Sequence, residues 1–118
     1  MKKVLICEDD SSIGRLIQTN LHSSGHETVL VAHEPHPLSR IRDEAPGVIV
    51  MDVMLEMVDG FDLLQRLKSD PATAHLPIIV VSARVEDDAM QRGYDLGAFV
   101  YLPKPFEPYE LAHYVSLA

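Results

Sequence analysis

Three carboxylates in succession, Glu8, Asp9 and Asp10, close the apolar run "VLIC" near the start of the chain. An unpaired carboxylate is costly to bury and neighbouring carboxylates repel, so three at the end of a buried run need water or a cation. A fourth acid, Asp52, stands flush against "GVIVM"; Ser82 ends "IIVVS", and Lys104 lies in "YLPKPF". Clustered carboxylate oxygens suit a hard divalent cation. Mg2+ (or Mn2+) takes one or two carboxylates, keeps several waters and readily shares a phosphate. A lysine and a hydroxyl opposite the acids would hold phosphate oxygens, and an aspartate between them can act as the nucleophile that becomes an aspartyl phosphate.

That chemistry requires elements that bring residues 8, 52, 82 and 104 together. Apolar runs of strand length recur at 3–7 (KVLIC), 28–32 (TVLVA), 47–51 (GVIVM), 77–81 (PIIVV) and 98–102 (AFVYL). They are short, rich in β-branched residues and nearly continuous, as strands covered on both faces of a parallel sheet should be. Between them lie segments of helical period. Ile13, Leu16, Ile17 and Leu21 form one stripe, with Asp10 or Ser11 as N-cap and Gly25 as a stop; Phe61, Leu64 and Leu67 form another behind Asp59 and Gly60. Pro35 and Pro37 forbid a helix running through them, but Pro37 suits a first turn, so a short helix is predicted at about 37–44. Further helices are predicted over 86–96, weakened by Gly93 inside it, and over 108–117. Five βα units with short connections predict an α/β domain: a parallel sheet with right-handed crossovers and helices on both faces.

In such sheets ligands bind outside the carboxyl ends of the strands. Glu8, Asp9 and Asp10 end the first strand, Asp52 the third and Ser82 the fourth, while Lys104 follows the fifth. Taken singly, Asp10 is an ordinary helix cap, Ser82 a turn residue and Lys104 a solvated charge; their coincidence on one edge points to a phosphoryl site. No pair of the six histidines has a metal-ligand spacing compatible with these elements.

Composition narrows the classes. A length of 118 residues fits one domain over 1–118, with no output domain expected within it. A formal net charge of −8 disfavours direct nucleic-acid binding or an anionic membrane surface. The single cysteine, Cys7, lies inside the first apolar run and reads as a buried thiol. The apolar run near the start is too short for a signal peptide and no window approaches membrane-spanning length, so a cytoplasmic address is expected.

Over the whole chain, "VLICEDD", "VIVMDVMLEMVDGFDLL", "IIVVSA" and "GAFVYLPKPF" at these spacings resemble the receiver domain of bacterial two-component response regulators. The resemblance implies a flavodoxin-like strand order 2-1-3-4-5. It implies that Asp52 accepts a phosphoryl group from a histidine kinase or histidine phosphotransfer protein, and that Glu8, Asp9, Asp52 and the main-chain carbonyl of Met54 hold Mg2+. Ser82 and Lys104 would bind phosphoryl oxygens, Ser82 and Tyr101 would form the switch, and Lys104-Pro105 would be a cis peptide. The partners implied downstream are an effector or fused output domain, met by the fourth helix, fifth strand and fifth helix, and, after phosphorylation, a second copy of the chain. The protein would not be an enzyme acting on a separate substrate, but would assist its own phosphorylation and dephosphorylation.

Departures from the family pattern are visible. Glu56 stands four residues after Asp52, where the family commonly has proline, and Phe99 and Val100 replace residues that are often polar. Two other functions compete. An unphosphorylated interaction module of the same fold would have no need of the full set Glu8, Asp9, Asp52, Ser82 and Lys104. A small Mg2+-dependent phosphohydrolase with an aspartyl nucleophile would carry a second aspartate where this chain has Met54.

Overall fold

The computed structural model describes residues 2–118. Its elements run β1 (Lys3–Cys7), α1 (Ser11–Ser23), β2 (Glu27–Val31), α2 (Pro37–Glu44), β3 (Val48–Met51), α3 (Gly60–Ser69), β4 (Ile78–Ser82), α4 (Asp87–Asp95), β5 (Val100–Pro103) and α5 (Pro108–Leu117). The five strands form one parallel sheet in the order β2-β1-β3-β4-β5. This is the α/β architecture and strand order expected, and it puts the carboxyl ends of β1 and β3 side by side.

Alternation along the strands sorts the core onto two faces. Leu5, Ile49, Met51, Ile78 and Val80 pack with Ile41, Phe61, Leu64 and Leu67, beneath α2, α3 and α4. Val4, Ile6, Val48, Val50, Ile79 and Val81 point the other way, to Ile17 and Leu21 of α1 and Leu111 and Val115 of α5. The helix starts follow local chemistry. Asp10 caps α1 by accepting from Ser12 and Ile13 N–H groups, Asp59 caps α3 through Phe61 and Asp62, and Pro37 opens α2.

Two local expectations need correction. Leu16 does not belong to the buried stripe and is 48% exposed. The buried face of α1 is Gly14, Ile17 and Leu21, and a Cβ at Gly14 would lie 3.0 Å from Leu30, so close packing there centres the face away from Leu16. The fifth strand begins at Val100, not at residue 98, because the Ala98 N–H donates to the Gly93 carbonyl as the chain leaves α4. Phe99 is consequently exposed beside the sheet.

Candidate functional site

The end of β1 delivers Glu8 inward and Asp9 outward. Glu8 is only 2% exposed, and its Oε1 accepts from Lys104 Nζ at 2.5 Å. The same ammonium donates to Asp52 Oδ2 at 2.6 Å, while Asp52 Oδ1 accepts the Met54 N–H at 2.9 Å. Lys104 is placed by its main chain, whose N–H donates to the Ser82 carbonyl at 2.8 Å; the Lys104–Pro105 peptide is cis, as expected. Asp52 is placed by its own N–H, which donates to the Cys7 carbonyl across the β1–β3 seam. Glu8, Asp52 and Lys104 therefore meet on one edge.

Desolvation and pairing compete in this trio. Burial raises the Glu8 pKa, and the Lys104 hydrogen bond and charge, which act to lower it, do not reverse that. Burial alone would lower the Lys104 pKa, yet hydrogen bonds from its ammonium to Asp52 and Glu8 outweigh it and the net shift is upward. The adjoining thiol of Cys7 is pushed up to about 12, chiefly by burial, which makes it an inert core side chain.

Ser82 is fully buried beside the trio, its Oγ accepting the Arg84 N–H at 3.1 Å. Tyr101, at the middle of the β4–β5 pairing, is buried; its hydroxyl donates to the Arg84 carbonyl at 2.6 Å and its N–H donates to Tyr94 Oη at 3.1 Å. Both Ser82 and Tyr101 thus hold the β4–α4 loop at Arg84. Gly93 makes this arrangement fit: a Cβ there would sit 2.6 Å from Tyr101 Cδ2. Gly60 has a similar role beneath Asp52, where a Cβ would sit 2.2 Å from Val53 Cα, so only glycine lets α3 start against the loop that follows β3.

Asp9 faces the rim. Its Oδ1 accepts the His33 N–H at 2.8 Å and its Oδ2 accepts the Glu56 N–H at 2.7 Å, which ties the loops after β2 and β3 to the end of β1. His33 adopts φ +53, a left-handed conformation uncommon outside glycine, and its Nδ1 lies 3.2 Å from Glu56 Oε2. Asp10 turns away to cap α1. Glu8, Asp9 and Asp52 do not form a closed ligand trio; among the described residues the trio whose ligand atoms all lie within 4.8 Å of one another is Asp9, His33 and Glu56. Sequence reasoning missed this second cluster because His33 lies in a loop without periodicity. The unusual Glu56 was its one visible signal.

The donor set at the inner site fits a hard divalent cation. Its side-chain donors are carboxylate oxygens, and an ammonium already stands between two of them, showing that the buried charge requires a cationic partner.

Residues 4–116 match the family described as the response regulator receiver domain. The chain is 34% identical to the alkaline phosphatase synthesis transcriptional regulatory protein PhoP of Bacillus subtilis, covering 93% of the chain and 45% of that protein. It is 36% identical to the phosphate regulon transcriptional regulatory protein PhoB of Pseudomonas aeruginosa, covering 93% of the chain and 48% of that protein. The chain thus spans about half the length of these curated relatives. Among solved structures, the Francisella response regulator 1452 receiver domain superposes with a TM-score of 0.91 at 31% identity, covering 99% of the chain and 95% of that structure. The chemotaxis response regulator CheY4 of Vibrio cholerae superposes with a TM-score of 0.89 at 26% identity, covering 99% and 98%.

Proposed function

Because the chain belongs to the family of response regulator receiver domains, we propose that it is a phosphorylation-dependent switch in which Asp52 is the phosphoacceptor. The observation that carries this reading is the single ammonium of Lys104 shared at 2.5 and 2.6 Å between Glu8 and Asp52. In the reaction a carboxylate oxygen of Asp52 attacks the phosphorus of a phosphohistidine, the O–P bond forms, and the P–N bond breaks with its electron pair returning to the imidazole. The donor is a histidine kinase or a histidine phosphotransfer protein.

Glu8, Asp9, Asp52 and the main-chain carbonyl of Met54 would hold Mg2+ or Mn2+, which neutralises charge on the phosphoryl oxygens when bound. Asp9 would turn from its two N–H partners toward that ion. Lys104 exchanges its contact with Asp52 for a phosphoryl oxygen, and the Ser82 hydroxyl leaves the Arg84 N–H for another. Both exchanges act on the Arg84 loop, to which Tyr101 is also bonded, so the surface of α4, β5 and α5 responds. The chain acts as a phosphoacceptor that assists its own phosphorylation and dephosphorylation, not as an enzyme with a separate substrate.

The output is a downstream effector or a fused output domain. The curated relatives named transcriptional regulatory proteins are about twice as long as the part this chain matches, which favours a fused output domain. A second copy of the chain is a further partner after phosphorylation. Among the described residues no helix is long and apolar enough to cross a membrane, which is consistent with action in the cytoplasm.

Incubation with acetyl phosphate and Mg2+ tests the reading by intact mass. One added phosphoryl group is expected, absent in Asp52→Asn. A wild-type chain that takes up no phosphoryl group would make it an unphosphorylated interaction module, and full labelling of Asp52→Asn would move the phosphoacceptor elsewhere.

A further inference from the structure

We infer that Asp9, His33 and Glu56 form a second cation site on the rim, selective for a borderline transition-metal dication such as Zn2+ over Mg2+. The three residues come from three loops, after β1, β2 and β3, and their ligand atoms all lie within 4.8 Å of one another. Two carboxylates alone would be ordinary solvated surface. The imidazole changes the chemistry, because nitrogen suits Zn2+, Co2+ and Ni2+, while Mg2+ prefers oxygen.

The geometry needs little rearrangement. Zn2+ bonds to imidazole nitrogen and carboxylate oxygen of roughly 2.0–2.2 Å give a tetrahedron with edges of about 3.4 Å. His33 Nδ1 and Glu56 Oε2 are already 3.2 Å apart. Each oxygen of Asp9 accepts only one N–H, from His33 on one side and Glu56 on the other, so lone pairs remain for a metal. Three protein ligands leave a fourth position to water.

The site depends on Glu56 through both its N–H and its carboxylate. Proline has no N–H, so a proline at this position would supply neither the donor that fixes Asp9 nor the carboxylate that faces His33. The site also shares Asp9 with the Mg2+ ligands proposed above. A cation held on the rim keeps Asp9 from the inner site and so antagonises phosphorylation, a consequence that rests on the proposed function although the binding itself does not.

Calorimetric titration of the chain with Zn2+ tests the inference against His33→Ala and Glu56→Gln, each first shown to be folded by its melting transition. One saturable site is expected in wild type. His33→Ala and Glu56→Gln should each lose affinity by at least the roughly 10–100-fold that removing even an outer-shell partner costs. The other five histidines remain in His33→Ala, so undiminished binding there would overturn the site, as would a wild-type chain without saturable Zn2+ binding. Zn2+ binding that depends on His33 in a chain that cannot be phosphorylated would support this site while refuting the phosphoacceptor reading, and the converse result would do the opposite.

Discussion

Lys104 and His33 each bring a nitrogen to carboxylates at the same edge of the sheet, but under opposite conditions. The Lys104 side chain is 13% exposed and contacts two carboxylates that are themselves almost fully buried, Glu8 and Asp52. The His33 side chain is 52% exposed, and its partner Glu56 is 70% exposed. In the first cluster water cannot replace a lost partner, so each charge depends on the others. In the second, water screens the pair and any one member can be lost cheaply. The inner trio is accordingly a place where a change of charge must be answered by movement, whereas the rim can change its charges without disturbing the fold.

The largest expected effect comes from removing the shared ammonium. Lys104→Ala leaves Glu8 and Asp52 buried without a cation and should destabilise the metal-free chain by about 3 kcal/mol at neutral pH, read from urea unfolding. The Lys104 pKa is raised, burial being outweighed by its hydrogen bonds to Asp52 and Glu8. Its contribution is therefore fully present below the ordinary lysine range and is lost only as pH climbs through the higher folded value. The difference between wild type and variant should persist through neutral pH and shrink at both extremes, in strong alkali where Lys104 loses its proton and in acid where Glu8 gains one. A loss below about 0.5 kcal/mol, the size of an exposed pair, would erase the distinction between the two clusters.

A smaller effect of opposite sign is expected at Glu8. Burial raises its pKa, so its contribution to stability is present below the ordinary carboxylate range and is lost as pH rises through the raised value. At neutral pH the folded chain carries this charge at a cost. Glu8→Gln keeps an oxygen acceptor for Lys104, whose ammonium stays paired with Asp52, and should raise stability at neutral pH. The gain should vanish in acid, where the wild-type side chain is itself protonated. Equal gains at neutral and acid pH would locate the effect in packing instead of charge.

The buried cluster was more legible in the sequence than the exposed one, for a physical reason. Apolar runs of strand length ending in Glu8, Asp52 and Ser82 fix where those residues stand, because parallel strands present their carboxyl ends on one edge. The meeting of Lys104 with Glu8 and Asp52 follows from strand order. No such frame governs His33 and Glu56, whose approach depends on loop dihedrals such as the left-handed φ of His33, and loops carry no periodic signal. Asp9 shows the limit within one motif. Sequence places it at the end of β1, while the loop N–H groups of His33 and Glu56 turn its carboxylate to the rim. Leu16 fails differently, since an apolar stripe registers only apolar side chains and the buried position beside Ile17 and Leu21 belongs to a glycine, Gly14.

The smallest expected effect belongs to the rim. Glu56→Gln removes the charge facing His33 but keeps the backbone N–H that donates to Asp9, so the clamp between the loops persists. The pair is exposed, and His33 contributes a charge only when protonated, so the change in stability should stay within about 0.5 kcal/mol. Whatever difference exists should fall further as salt is raised, because screening acts fully on solvent-facing charges. Paired urea unfolding curves at low and high salt would measure it. A loss above about 1 kcal/mol that persists at high salt would mean that the carboxylate, and not the N–H beside it, holds the loops together, and the rim would then be as structural as the buried trio.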